Sequence, residues 1–244
     1  MTGADQTLLI VSGTSDSGSA LARTVADAGG TVGFTYNSAT DAAEELLADL
    51  DGDDHEAWQC DVTVPDETAS VVSEAFDTLG HVDGLVFTVG VIARSSIEDT
   101  KPAEWQRHLD ANVTGAFNVI KAAAPEFTAQ GDGSIVAVSA CDGIMRSPNL
   151  AAYDASKQGL IALVQEAARE LGPDGVRANV VSPGFIRDPD TLSADARQDL
   201  LDQQPYKQLT TPQDIANACL FLCSDRAATT TGAVLPVDSG LSLE

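Results

Sequence analysis

Short apolar runs alternate with longer helical stretches along almost the whole chain. The seven apolar runs cover residues 7–12, 31–36, 55–60, 82–88, 134–139, 176–181 and 233–237. The helical stretches cover residues 19–28, 39–50, 65–79, 102–127, 151–171, 193–203 and 212–223. Runs that are apolar throughout are typical of strands buried on both faces. The pattern predicts an α/β fold with a doubly wound, seven-stranded parallel sheet and helices on both faces.

The alternation also indicates where function should be sought. No linker, repeat or low-complexity tract interrupts it, so the sequence predicts a single domain over residues 1–244. In a sheet of this kind the ligand crevice lies beyond the carboxyl ends of the strands. The residues that follow each strand are therefore the candidates for a functional site.

The charge balance excludes two classes of partner. The chain has 37 acidic and 13 basic residues, which gives a formal net charge of −24. A surface this negative repels phosphate backbones and anionic lipids, so we expect no nucleic acid and no membrane partner. Self-repulsion also strains the compact state unless salt screens it. We interpret the acidic surface as halophilic, with an ordinarily acidic enzyme as the alternative.

No metal site is predicted, because the four cysteines and three histidines lack metal-ligand spacing. Cysteines in or beside apolar runs are usually buried thiols. The N-terminus has no basic flank followed by an apolar run, and no stretch approaches the ~18 apolar residues of a membrane span. We therefore expect a cytoplasmic protein.

Tyr153 and Lys157 lie at the start of the apolar helical stretch 151–171. Their four-residue spacing puts both side chains on one helix face. A nearby ammonium favours the phenolate and lowers the pKa of a tyrosine, which suits proton transfer to or from a carbonyl or alcohol. Taken alone, the same spacing also describes an ordinary surface pair.

Further motifs accompany this pair in a fixed order along the chain. They are Gly13…Gly18 after the first strand, Cys60-Asp61-Val62 after the third, Asn112-Val113-Thr114-Gly115, Pro183-Gly184 and Val237-Asp238-Ser239-Gly240. The ordered set resembles the short-chain dehydrogenase/reductase family over essentially the whole chain, and most of all its 3-oxoacyl-thioester reductases. The resemblance implies a Rossmann fold, a nicotinamide dinucleotide, and hydride transfer between a carbonyl and a secondary alcohol. It also implies a homotetramer or dimer with helices 102–127 and 151–171 at interfaces.

The same resemblance assigns roles to individual residues. It implies that Tyr153 is the general acid and base, that Lys157 lowers its pKa and holds the nicotinamide ribose, and that Asn112 supports a proton-relay water. The other cofactor contacts that it implies are Gly13, Ser15, Asp16, Ser17, Gly18, Asn37, Ser38, Asp61, Val62, Gly90, Pro183, Gly184 and Ile186. Within that set Asp61 and Val62 flank the adenine, and the last three residues line the nicotinamide.

The cofactor loop departs from the family pattern TGxxxGxG. Residues 12–18 read Ser-Gly-Thr-Ser-Asp-Ser-Gly, one residue short if Gly18 is the last glycine; the alternative puts Ser17 and Ser19 at the last two glycine positions. Either way the middle glycine, which allows close approach to the pyrophosphate, is missing. The helix N-terminus still offers an anion site. As an alternative, Asp16 or Ser17 caps that helix, and a capping carboxylate would repel phosphate.

The choice of cofactor is only weakly encoded. Members that use NAD carry an acid at the end of strand two, where this chain has Tyr36-Asn37-Ser38. That difference favours NADP. However, the first loop offers no basic residue for the 2′-phosphate, so NAD stays the alternative.

Departures also occur at the catalytic positions. The family's Asn-Asn-Ala-Gly is Phe87-Thr88-Val89-Gly90, and Asp188 stands where a threonine is expected. Ala140 occupies the position of the substrate-holding serine, thirteen residues before Tyr153. Candidates to replace that hydroxyl are Ser139, Cys141 and Asp142.

Two functions therefore stay open. The first is a divergent reductase of a small carbonyl or acyl thioester, held by apolar residues of the 142–152 and 185–210 loops with Arg146 and Arg187 nearby. The second is a degenerate relative that binds no cofactor and serves as a structural or regulatory partner in a hetero-oligomer with an active homologue. The intact Tyr153, Lys157 and Asn112 favour the enzyme, whereas Ala140 and the short loop favour the partner.

Overall fold

The computed structural model describes residues 6–141, 148–186 and 192–243. Its strands are β1 (Thr7–Val11), β2 (Thr31–Tyr36), β3 (Glu56–Gln59), β4 (Gly84–Phe87), β5 (Gly133–Val138), β6 (Val176–Pro183) and β7 (Val234–Val237). They form one parallel seven-stranded sheet in the order β3-β2-β1-β4-β5-β6-β7. The order reverses between β1 and β4, which is where a doubly wound sheet opens its crevice. The predicted Rossmann-type fold is confirmed.

Eight α-helices connect the strands in the described part of the chain. They are α1 (Asp16–Asp27), α2 (Thr40–Asp49), α3 (Pro65–Leu79), α4 (Pro102–Leu109), α5 (Gly115–Gln130), α6 (Ala151–Leu171), α7 (Ala194–Asp202) and α8 (Pro212–Cys223). Of these, none is long and apolar enough to cross a membrane.

The core lies in two layers because successive strand residues point to opposite faces. In β1, Leu9 and Val11 pack into the layer that includes residues of α3, α5 and α6. Leu8 and Ile10 pack into the other layer, with residues of α1 and α8. The fully apolar β1 is thus buried on both faces, as its sequence predicted.

Two helix predictions need correction. Helix α1 begins at Asp16, three residues earlier than the predicted start at Ser19. The predicted single stretch 102–127 is two helices joined by a π-helical turn, Asp110–Thr114, and it continues to Gln130. Such a turn is a local widening that propensities do not reveal, and it often marks a functional site.

Candidate active site

Two cavities open at the carboxyl edge of the sheet and share Gly90. The larger, of about 320 Å³, is lined by nine predicted site residues: Ser15, Asp16, Ser17, Gly90, Tyr153, Lys157, Pro183, Gly184 and Ile186. The smaller, of about 220 Å³, is lined by four: Asn37, Asp61, Val62 and Gly90. Gly13, Gly18, Ser38 and Asn112 line neither of these two. Most of the predicted site residues thus line two cavities that meet at Gly90.

Lys157 is the central cation of the larger cavity. Its side chain is 2% exposed, and its Nζ donates to the carbonyl oxygens of Val89 at 3.2 Å and Val138 at 3.0 Å. Burial lowers the pKa of its ammonium to about 8. An ammonium has three N–H groups, so one is left for a ligand. No carboxylate among the described residues forms an ion pair with it.

Tyr153 and Lys157 meet as their spacing predicted. The Lys157 Nζ lies 5.9 Å from the centroid of the Tyr153 ring, and both residues line the larger cavity. The ring of the buried His108 packs edge-on at 6.4 Å between centroids. The pair is not an ordinary surface pair.

Asn112 lies in the π-helical turn and is fully buried. Its Oδ1 accepts from the Val91 N–H at 2.9 Å, and its Nδ2 donates to the Val91 oxygen at 3.1 Å. The same Nδ2 donates to Ser156 Oγ at 2.9 Å, and that hydroxyl donates to the Tyr153 main-chain oxygen at 2.7 Å. The amide thus fastens the segment after β4 to the helix that carries Tyr153.

Sequence reasoning missed His108. Its Nε2 accepts from the Ala93 N–H at 3.0 Å, while its Nδ1 lies 2.8 Å from the Glu104 oxygen and must carry the proton. The sequence indicates no role for this residue, since the histidines lack metal-ligand spacing. Among the described residues, no group of three or more His, Cys, Asp or Glu side chains could hold a metal. The four-residue spacing between His108 and Asn112 could have indicated that both side chains face the same segment.

Ala140 lines the larger cavity without a hydroxyl. Ser139 also lines it, but its Oγ donates to the Lys157 main-chain oxygen at 3.1 Å. Cys141 is buried, and its N–H donates to the Pro183 oxygen at 2.7 Å. Four further residues of the sequence analysis lie outside the described residues: Asp142, Arg146, Arg187 and Asp188.

The turn from β1 into α1 is held by small hydroxyls. The N-cap of α1 is Ser15, whose Oγ accepts from the Gly18 N–H at 3.1 Å. The expectation of a cap at Asp16 or Ser17 was therefore wrong. A Cβ on Gly18 would lie 2.5 Å from the Ser12 oxygen, so glycine lets the helix start early and close against β1. Thr88 Oγ1 lies 2.9 Å from Ser15 Oγ and from the Ser12 oxygen.

These groups fit a dinucleotide in all but one respect. The N–H groups of Asp16 and Ser17 have no acceptor among the described residues, and a helix start with free N–H groups binds phosphate. The third N–H of Lys157 suits a ribose hydroxyl. Gly90 marks the junction of the two cavities because it lines both, and a Cβ there would make only an ordinary contact, 3.5 Å from Lys157 Nζ. The Asp16 carboxylate, which lines the larger cavity, is the misfit.

Known proteins resemble this chain over nearly its full length. Residues 14–242 match the family model described as enoyl-(acyl carrier protein) reductase. A 3-oxoacyl-[acyl-carrier-protein] reductase of Staphylococcus epidermidis is 34% identical over 228 residues, which cover 92% of this chain and 93% of that protein. A reductase of the same description from Thermotoga maritima is 35% identical over 182 residues, 74% of each chain.

Solved structures agree. A short-chain type dehydrogenase/reductase from Mycobacterium ulcerans has a TM-score of 0.91 and 30% identity, covering 100% of this chain and 92% of that one. A 3-oxoacyl-[acyl-carrier protein] reductase from Brucella melitensis has a TM-score of 0.88 and 26% identity, covering 100% of this chain and 93% of that one.

Proposed function

The chain belongs to the short-chain dehydrogenase/reductase family, and from that premise we propose that it reduces the 3-oxo group of an acyl thioester with NADPH. That it is an NAD(P)-dependent oxidoreductase follows from its family and relatives. The observation that carries the proposal is the buried Lys157 ammonium beside Tyr153, in a cavity that shares Gly90 with a second cavity. The alternative of a degenerate partner chain finds no support in these relatives.

Proton transfer in the proposed reaction belongs to Tyr153. When bound, the reduced nicotinamide supplies the hydride. The Tyr153 hydroxyl donates its proton to the carbonyl oxygen, and the Lys157 charge stabilises the tyrosinate that remains. Lys157 also holds a ribose hydroxyl through its third N–H. Asn112 is a positioning residue, because its amide holds Val91 and the first turn of α6 in place.

The carbonyl oxygen is held by fewer donors than the family pattern with a serine implies. Ala140 has no hydroxyl, and the proton of Ser139 goes to the Lys157 main-chain oxygen. Removing one donor of this kind typically costs about 3 kcal/mol, or roughly a hundredfold in rate. We therefore expect a working but slow reductase on substrates that present only a carbonyl.

The preference for NADPH is the finer part of the proposal. Asn37 and Ser38 follow β2, where an acid would repel a 2′-phosphate. The smaller cavity contains one carboxylate in its described lining, Asp61, at its β3 side. NADH stays the alternative donor, and the ratio of kcat/KM values for the two donors decides between them.

We further propose a cytoplasmic, single-domain enzyme that assembles as a homotetramer or dimer. Trp105 on α4 and Phe117 on α5 support assembly, because these large apolar side chains are 40% and 48% exposed. Light scattering after size exclusion measures the assembly; a strict monomer would contradict it.

We also propose that the folded state of this acidic chain requires high salt for its stability. The described residues form two Arg–carboxylate ion pairs and two contacts between His81 and carboxylates, all with exposed or half-exposed partners, although the chain carries 37 acids. Most carboxylates thus repel each other without compensation. The unfolding temperature should rise along a KCl series, and a fold that is indifferent to salt would refute the proposal.

The proposed function is tested by two measurements in molar KCl. NADPH fluorescence titration measures binding, and loss of NADPH absorbance with acetoacetyl-coenzyme A measures reduction. Tyr153→Phe is the matched control, because it keeps the ring and removes the proton. We expect both proteins to bind NADPH and only the wild type to turn over. A folded wild-type protein that neither binds a nicotinamide cofactor nor reduces the thioester would refute the proposal.

A further inference from the structure

The segment 89–95, which follows β4, is fastened at every second residue. Val89 accepts from Lys157, and Val91 exchanges two hydrogen bonds with Asn112. Ala93 donates its N–H to His108, and the Ser95 N–H donates to the Asn149 oxygen at 2.8 Å. These contacts come from α4, the π-helical turn and the start of α6. The backbone of the segment is therefore fixed along its length.

The residues in between line the larger cavity. Gly90, Ile92 and Arg94 are exposed, whereas the alternate residues are half-buried. This is the alternation of an extended chain, in which successive side chains point to opposite sides. From the junction at Gly90 outward, the segment thus lines the cavity first with no side chain, then with an apolar one, and then with a cation.

Arg94 is a cation with no anionic partner in the described part of the chain. Its Nη1 donates to the Pro148 oxygen at 3.4 Å, and no described carboxylate forms an ion pair with it. This is notable in a chain with 37 acids, where a basic side chain has many potential partners. Its guanidinium offers several donors in a planar fork that matches a phosphate or a carboxylate.

We propose that Arg94 binds an anionic group, a phosphate or a carboxylate, on the part of the substrate that lies beyond Ile92 from the reacting carbonyl. The inference rests on the proposed function and narrows its substrates to 3-oxoacyl thioesters that carry such an anion. Binding energy from a remote part of the substrate positions the reacting part. Arg94 thus lowers KM for such substrates and raises kcat/KM, without acting on the chemical step.

The test compares wild type, Arg94→Gln and Arg94→Lys on three thioesters, at the lowest KCl concentration that keeps the fold. Acetoacetyl-coenzyme A carries phosphates, and the N-acetylcysteamine thioester of acetoacetate is neutral. The N-acetylcysteamine thioester of a 3-oxo dicarboxylic acid carries one carboxylate. Loss of a hydrogen bond to a charged group should raise KM for an anionic substrate about tenfold or more in Arg94→Gln, with kcat nearly unchanged. Arg94→Lys should recover part of the loss.

The pattern across substrates identifies the anion. A KM effect on acetoacetyl-coenzyme A alone assigns the phosphates, and one on the dicarboxylic thioester alone assigns the carboxylate. Arg169→Gln, which removes an exposed charge on α6, is the control and should change none of the KM values. The neutral thioester should be indifferent to every variant.

Four results would overturn the assignment. Equal KM changes on neutral and anionic thioesters would mean that Arg94 only holds the segment. Weaker NADPH binding by Arg94→Gln would place the residue at the cofactor. Unchanged KM values on thioesters that the wild type reduces would remove Arg94 but leave the proposed function. If the wild type reduces none of the three, the proposed function itself fails and the assignment falls with it.

Discussion

The segment 89–95 and the turn between β1 and α1 both border the larger cavity, but they are fixed in different ways. Buried side chains of Lys157, Asn112 and His108 hold the segment. The turn is held by the hydroxyls of Ser15 and Thr88, and by glycines that leave no room for a side chain. The segment, on the catalytic side, therefore depends on buried side chains, whereas the turn, on the phosphate side, depends on small hydroxyls and on glycines that have no side chain.

The largest effect should follow from Lys157→Met. The change removes the charge that stabilises the tyrosinate and leaves the Val89 and Val138 oxygens without this donor. General acid–base assistance is worth about a hundredfold to ten-thousandfold, so we expect kcat/KM to fall about a thousandfold. Steady-state kinetics measure it, with circular dichroism to verify the fold. Activity near the wild-type level would show that proton transfer from Tyr153 does not need the Lys157 charge.

The same lysine should make stability depend on pH. Burial lowers its pKa from 10.5 to about 8 in the folded protein, so the unfolded chain binds more protons between these values. Stability should therefore rise as pH increases from about 8 to about 10.5, by about 3 kcal/mol in total. Urea unfolding of wild type and Lys157→Met at both limits isolates this contribution. An identical pH dependence in the two proteins would contradict the assignment.

On the phosphate side, Gly18→Ala should have the next largest effect. The new Cβ would lie 2.5 Å from the Ser12 oxygen and 2.8 Å from Ser15 Oγ, so the turn must move. Overpacking of this kind costs about 1–3 kcal/mol. We expect a lower unfolding temperature and weaker NADPH binding with kcat less affected. Gly172→Ala is the matched control, because a Cβ there meets nothing within 4 Å.

Thr88→Val should have the smallest effect. It keeps the side-chain shape and removes the hydroxyl that lies 2.9 Å from Ser15 Oγ and the Ser12 oxygen. A hydrogen bond contributes about 1 kcal/mol, so the dissociation constant for NADPH should rise severalfold. Thr24→Val, which deletes a hydroxyl on α1 away from the turn, should leave that constant unchanged. A tighter complex in Thr88→Val would mean that the turn is not held this way.

Much of the fold could be predicted because strands buried on both faces must be apolar throughout. Tyr153 and Lys157 could be predicted as a pair because helical spacing alone puts them on one face. The start of α1 was missed, because Ser15 and Gly18 look like loop residues until Ser12 is known to lie against them. Arg94 and His108 were missed for a related reason. Their orientation depends on hydrogen bonds between residues far apart in sequence.

The π-helical turn Asp110–Thr114 also holds one residue more than a regular turn would. The Gly115 N–H bonds to the Asp110 oxygen, one residue further back than in a regular helix. Deleting one residue here would restore an unbroken helix in which α5 keeps nearly the same angular phase, because the wide turn had absorbed the extra residue. Val119 and Phe127 would then stay in the core. The damage would fall on Asn112, whose hydrogen bonds to Val91 and Ser156 depend on the turn, so such a deletion would separate catalysis from folding.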